Sequence, residues 1–239
     1  MKFPQRIFLT LLLFSTLVSK SQTADEIINR YIQYIGGAQN WKSVSTITTT
    51  GNYNYGGVAF PYVAYSKAPN LYLYTVTFNG KSFSQAYNGQ VGWRIDGFKN
   101  EKTKTILKDK QATALANEAD VELESPLINY TQKGNTVELL GSDSVNGLAC
   151  HKLRMVAKGD TAVYFFDKKD FSLVKKQALS KNSEMDKAPM DIFYSDYQVT
   201  GNIRLPHKIN CTTAGQRILL ITVDSVKLNE PVADSLFQP

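Results

Sequence analysis

Beyond Trp41 the chain changes rhythm. β-Branched and aromatic residues recur at every second position, and turn dipeptides cut the runs at short intervals. Asn79-Gly80, Asn88-Gly89 and Asn146-Gly147 are hairpin signals, because a tight two-residue turn needs positive φ at its centre and Asn and Gly tolerate it best. Gly56-Gly57, Gly159-Asp160 and Lys169-Asp170 punctuate the pattern in the same way. A chain marked like this folds back on itself, strand beside strand.

The runs are Val44 to Tyr55, Val58 to Tyr65, Leu71 to Phe78, Ser82 to Tyr87 and Val91 to Ile95, then Thr136 to Ser144, Leu148 to Ala157 and Thr161 to Phe166. Phe171 to Ser180, Asp191 to Val199, Leu205 to Thr212 and Arg217 to Leu228 complete them. They make about 11 or 12 strands, and no fixed repeat points to a propeller or solenoid. Pro61 suggests an edge or a bulge in its strand. The expected fold is mainly β: a single curled antiparallel sheet, shaped as a half-open barrel, because sheets of this size rarely stay flat and open.

Two helical stretches interrupt the strands and are expected to cover the sheet. Thr23-Ala-Asp-Glu26 is a capping box, and Ile27, Ile28, Tyr31, Ile32 and Ile35 follow as one apolar stripe up to Gly36-Gly37, predicting a helix over 24–35. Ala112, Leu115, Ala116, Ala119 and Leu123 repeat at the same period and predict a second helix over 110–123. Leu127, Ile128 and Tyr130 suggest a short helical turn after Pro126.

Ahead of this domain lies an address. Lys2 and Arg6 precede an apolar run from Ile7 to Val18, and Ser19-Lys20-Ser21 offers small residues at a cleavage site. Residues 1–21 read as a secretory signal peptide cut after Ser21, leaving one domain over 22–239. Removing the signal takes basic residues from 27 to 24 against 21 acidic ones, and the net charge from +6 to +3. That balance argues against nucleic acid as a partner. Lys168, Lys169, Lys175, Lys176 and Lys181 read as protection of a solvated sheet edge.

Cys150 and Cys211 lie on strands separated by three others along the chain. Four inter-strand steps place them roughly 19 Å apart, against the roughly 7 Å that a disulfide allows, so two free, buried thiols are expected.

Catalytic patterns are sparse. His151 and His207 are the 2 histidines and belong to no spaced ligand motif, so no metal or cofactor is expected. The sequence has no P-loop, no G-x-G-x-x-G and no G-x-S-x-G. Asp167, Asp170, Asp191 and Asp196 sit at strand ends or turns, and a hydrolase built on an Asp pair is the enzymatic alternative. Aromatic residues are more informative. Tyr72, Tyr74 and Phe78 share one face of their run, while Leu71 and Leu73 make the other face apolar too, and Phe83, Tyr87 and Trp93 follow on the next runs. A sheet with one core face needs one apolar set. Two uses fit the surplus: packing under the helices, or the lining of a pocket for an apolar ligand.

The block Ser66-Lys-Ala-Pro-Asn-Leu-Tyr-Leu-Tyr74 followed by Gln85-Ala-Tyr-Asn-Gly-Gln-Val-Gly-Trp93 resembles the periplasmic lipoprotein-carrier family, which includes LolA, LolB and RseB-like domains. The stretches Tyr194 to Pro206 and Ile221 to Phe237 resemble other parts of it. The resemblance implies an open half-barrel with helices over its mouth. It implies a non-enzymatic periplasmic protein that shelters lipoprotein acyl chains, or lipid, and passes them from a membrane-bound donor to an acceptor toward the outer membrane. It places Tyr72 and Tyr74 on the cavity-facing strand and matches Lys67 and Pro69 to the strand-start motif, whereas Ala68 stands where the carrier has a lid-tying arginine. The expected acyl cavity is lined by Tyr72, Tyr74, Phe78, Phe83, Tyr87 and Trp93 in a monomer. The alternative is a sensor or interaction module of the same fold that holds a protein partner.

Overall fold

A computed structural model describes residues 22–122, 125–157, 159–180 and 188–239. The proposed signal peptide, Lys181 and most of the polar loop after Ser180 lie outside the described residues.

The chain opens with α1 (Ala24–Tyr34) and α2 (Ala38–Lys42). Five strands follow: β1 (Thr46–Tyr55), β2 (Val58–Lys67), β3 (Leu71–Phe78), β4 (Lys81–Asn88) and β5 (Gly92–Asp96). After the two-residue strand β6 (Thr105–Ile106) comes α3 (Asp109–Glu122). Then come β7 (Thr136–Val145), β8 (Leu148–Ala157), β9 (Asp160–Asp167), β10 (Leu173–Leu179), β11 (Pro189–Thr200), β12 (Ile203–Thr213) and β13 (Gln216–Leu228). Among the described residues these 13 strands form one antiparallel sheet, ordered β6-β5-β4-β3-β2-β1-β13-β12-β11-β10-β9-β8-β7.

The expected mainly β, antiparallel architecture is therefore present, with one strand beyond the expected number. β6 was missed because two exposed residues carry no alternation. The sheet is two meanders, β1–β6 and β7–β13, joined where β1 pairs with β13, for example Tyr53 with Ile221. It does not close, and β6 and β7 are its edges.

Local chemistry explains most elements. The Thr23 hydroxyl accepts from the Glu26 amide, and the Glu26 carboxylate accepts from the Thr23 amide. Asn79 and Gly80 both have positive φ (49° and 72°), as the β3–β4 turn requires. Gly36 ends the first helical segment where a Cβ would lie 2.2 Å from the Asn202 carbonyl oxygen, so only glycine lets that turn meet the β11–β12 hairpin. Cys150 and Cys211 are free and buried.

Three expectations are corrected. Pro61 lies in β2, an inner strand rather than an edge, and the β2–β3 ladder runs only from Tyr62↔Val76 to Lys67↔Leu71, so the missing N–H falls beyond it. Lys175 and Lys176 are on β10, which is also internal. Their ammonium nitrogens lie over rings: Lys175 Nζ 5.3 Å from the centroids of both Phe165 and Phe193, and Lys176 Nζ 5.6 Å from that of Tyr164. The lysines shield sheet faces, with the Lys175 head 2.9 Å from Asp191. The apolar second face of β3 is also explained without a pocket. Residues after β13 fold beneath it, and Val232 and Phe237 pack on Leu73, Ala86 and Trp93.

Two cores share the other face. Ile27, Ile28, Tyr31, Ile32 and Ile35 pack with Leu127, Ile128, Leu153, Tyr164, Phe166 and Ile203. Across the sheet, Leu115 and Ala119 of α3 pack with Tyr62, Ala64, Tyr72 and Leu107.

Candidate functional site

Pleating decides which aromatics meet. Residues opposite one another in an antiparallel ladder share a face. Tyr72 pairs with Tyr87 and Tyr87 with Gly92, while Tyr62 pairs with Val76 and Val76 with Phe83. These rows, with Tyr74 between them, form a wall under α3. Its rings touch in sequence: Tyr53 lies 4.8 Å from Tyr62 and 6.2 Å from Tyr74, and Tyr74 lies 5.9 Å from Tyr72 and 5.8 Å from Phe83.

Four of the six residues expected from sequence, Tyr72, Tyr74, Phe83 and Tyr87, belong to this wall. Phe78 shares the face but sits at the rim, 37% exposed, with its ring 5.2 Å from Phe60 rather than on the wall. Trp93 is not part of it. It pairs with Ala86 and is 3% exposed on the opposite face, where its indole N–H donates to the Phe237 carbonyl at 2.7 Å. The sequence showed an aromatic near the right strands, but the pleat turns position 93 away from 72 and 87.

α3 packs over the wall. Leu115 fills the notch left by Gly92, where a Cβ would come within 2.9 Å of its methyl group. Ala119 is buried as well, whereas Tyr53, Tyr74, Val76, Tyr87, Ala112 and Ile221 pack only in part. Among the described residues the wall is mainly apolar and covered only in part.

A carboxyl beside this site was missed. Glu118, three residues after Leu115, lies at the flank of the sheet-facing stripe of α3, partly exposed and near Tyr72. Burial pushes that carboxyl up to about 7, the contact with Tyr72 opposing the shift in part. Tyr74 is pushed upward by burial first and by the Glu118 charge second. The stripe Ala112–Leu115–Ala119 could have revealed it, since position 118 lies beside it on the helix. Among the described residues no three His, Cys, Asp or Glu side chains stand close enough to hold a metal ion.

Lys67, matched above to a strand-start motif, reaches the other side. Its ammonium donates to the Val232 carbonyl at 2.7 Å and pairs with Asp234, pinning the C-terminal segment.

The large antiparallel sheet with helices on one face has counterparts among solved structures. A LolA superfamily protein from Nitrosomonas europaea superposes with a TM-score of 0.57 at 12% identity, covering 92% of this chain and 99% of its own. The chain has the LolA fold. A protein of the DUF1329 family from Desulfovibrio piger superposes with a TM-score of 0.59 at 13% identity, covering 91% and 98%. A domain assigned to outer-membrane lipoprotein sorting, from Vibrio parahaemolyticus, gives 0.56 at 11% identity, covering 89% and 94%. At such identities the likeness to LolA is one of backbone. No family model and no curated protein matches the sequence.

Proposed function

We propose that this protein is a non-enzymatic periplasmic carrier that binds lipoprotein acyl chains, or lipid, between α3 and the tyrosine wall, and sorts its cargo toward the outer membrane. The observation that carries this reading is the wall of Tyr53, Tyr74 and Tyr87, covered only in part among the described residues and packed by Leu115 and Ala119 of α3. The LolA fold supports it, as does the lipoprotein-sorting assignment of one structural neighbour. The basic start and apolar run of residues 1–21 supply the export step.

The energetics suit a carrier. Lifting Leu115 from its notch costs about 1.5–3 kcal/mol of burial. Each acyl CH₂ taken out of water returns about 0.8 kcal/mol, so a few methylenes replace the helix contact. Cargo and α3 compete for one wall with similar strengths, so that loading and release both remain accessible. Tyr72 and Tyr74 supply apolar rings, with hydroxyls that tolerate a wet rim.

The test is detergent-free purification followed by denaturing lipid mass spectrometry, then titration with a fluorescent acyl probe and competition by a triacylated peptide. Co-purified lipid and saturable displacement are expected, and a folded Tyr74→Glu protein should lose probe binding. A wild-type protein with neither lipid nor saturable binding would assign the wall to packing and redirect the search to a protein partner.

A further inference from the structure

The strands β1–β5 end differently at their two ends. At one end the C-terminal segment closes them: Lys67 holds the Val232 carbonyl, and the Asn88 side-chain amide donates to Gln238 at 3.0 Å. At the other end large apolar side chains face water. Tyr55 is 64% exposed, Val58 is exposed too, and Phe78 and Phe98 are 37% exposed each. Tyr55 and Val58 pair across the Gly56-Gly57 turn, and Phe78 stands beside the next turn, Asn79-Gly80. Phe98 comes from the 3₁₀ turn after β5 (Gly97–Lys99), yet its ring lies 6.1 Å from Phe60, which lies 5.2 Å from Phe78. These strand ends share one apolar rim. Cationic side chains stand among the rings. Lys81 pairs with Phe78 across the turn, Lys99 follows Phe98, and Arg217 is on β13, three residues before the Leu220 that pairs with Asn54. All three are exposed, and Lys81 donates to the neutral Asn100 amide oxygen at 3.1 Å. The nearby acids turn inward. Asp96 is buried and accepts from the Phe98 and Lys99 amides, with the Lys99 ammonium 3.5 Å away, and Glu101 accepts from the Asp96 amide. No acidic residue occurs in the turns at 56–57, 79–80 or 214–215.

We propose that this rim docks on the surface of an anionic phospholipid bilayer, Tyr55, Phe78 and Phe98 entering the headgroup layer while Lys81, Lys99 and Arg217 meet the phosphates. Aromatic rings favour the boundary between water and hydrocarbon, where an apolar body and a wet edge are both accommodated. Each lysine or arginine held near an anionic surface strengthens binding by about fivefold. Shallow apolar insertion and headgroup attraction add, and this rim presents both on the same turn tips. The charge complementarity is what selects an anionic surface over a neutral one. The rim is also continuous with the tyrosine wall, since Phe60 pairs with Tyr53, whose ring lies 4.8 Å from Tyr62. On the carrier reading, docking brings the wall's end to the bilayer from which an acyl chain leaves. The docking itself does not depend on that reading.

Vesicle flotation of the secreted protein tests it, comparing pure phosphatidylcholine with equal parts of phosphatidylcholine and phosphatidylglycerol. Binding is expected on the anionic vesicles and should weaken in high salt. Lys81→Glu with Arg217→Glu should weaken it at least about tenfold, and Tyr55→Ser with Phe98→Ser by about tenfold. All four side chains are exposed, so both variants should keep the wild-type melting temperature. Val91→Ser, at an exposed site by the opposite end of the same strands, should change nothing. Trp41 and Trp93 are buried, so Phe98→Trp adds an exposed indole whose emission should shift to the blue on anionic vesicles. Wild type that stays off the anionic vesicles overturns the proposal, as does a Val91→Ser loss equal to that of the aromatic pair. Binding that needs the cations but ignores Tyr55 and Phe98 also overturns it, because that is attraction without docking. If wild type stays off vesicles and sediments as a dimer that Tyr55→Ser with Phe98→Ser disperses, the rim covers a second copy and the membrane assignment falls. Rim-dependent vesicle binding by a protein that takes no acyl probe leaves the docking standing and removes only the carrier reading.

Discussion

α1 and α3 cover the same face of the sheet, and they hold it in different ways. α1 buries Ile27, Ile28, Tyr31 and Ile32 against a broad apolar floor, with Leu127 and Ile128 packed beside it and the Tyr31 ring 5.2 Å from Phe166. Its entry is fixed by a capping box, and the chain leaving it is locked by Gly36 against the Asn202 carbonyl. α3 buries Leu115 and Ala119 and carries a carboxyl, Glu118, at the flank of its stripe. One helix is therefore a plug and the other a cover. The sheet below the cover is secured from behind, by Phe237, Val232 and the Lys67–Asp234 pair. The back of β3–β5 is thus covered by contacts that α3 does not make, so on the proposed carrier reading stability and opening fall to different parts of the molecule.

The largest expected effect tests that rear support. Phe237→Ala removes a fully buried ring and should cost about 3–5 kcal/mol in denaturant unfolding, with a red shift of Trp93 emission as its cover is lost. A shift in the midpoint near zero would mean that the C-terminal segment is not what holds the β1–β6 half.

Next comes the contrast between the helices. Ile28→Ala should lower global stability by about 2–5 kcal/mol. Leu115→Ala, at an equally buried site, should lower it by less than about 1 kcal/mol and instead accelerate amide exchange confined to α3. Equal losses from the two would erase the distinction between plug and cover.

The third effect depends on pH. Glu118 has its carboxyl raised to about 7 in the folded protein, above its ordinary value of 4.5, so the folded state favours the protonated form. The closed position of α3 is fully favoured below about pH 4.5 and loses ground as pH rises through about 7, where the unfolded carboxyl is already ionised. Amide exchange in α3, corrected for its intrinsic pH dependence, should increase over that range while α1 stays flat. Glu118→Gln should flatten the α3 profile, and an unchanged α3 profile in that variant would assign the titration elsewhere.

The smallest effect sharpens the comparison at its edge. Thr23→Ala removes the side-chain half of the capping box and should cost about 1 kcal/mol. Because α1 folds with the main core, that loss should appear in global unfolding rather than as local fraying.

The strands and the first helix were legible because their signals are local. Asn79-Gly80 fixes a turn through its own φ angles, and the Thr23–Glu26 box and the isoleucine stripe define a helix within a few residues of chain. The wall was half legible. Tyr72 and Tyr74 share a face by simple alternation, and Tyr87, opposite Tyr72, and Phe83, opposite Val76, fall on it through the β3–β4 register. Trp93 was misplaced because its face depends on the register of β5 against β4, and a shift of one residue exchanges the two faces. Glu118 was passed over because a carboxylate on an apolar stripe reads as solvent-exposed until a partner surface is known.

Sequence by itself thus determined a mainly β chain of hairpins with two amphipathic helices, and two cysteines held apart by the strands between them. These follow from backbone torsions and side-chain period, which act over a few residues. Only the tertiary structure decided that β1 pairs with β13, that β10 lies inside the sheet, and that the C-terminal segment covers the back of β3. It also decided that Glu118 meets Tyr72. Those contacts join residues far apart in the chain, and their energy depends on burial by surfaces that exist only once the sheet has formed.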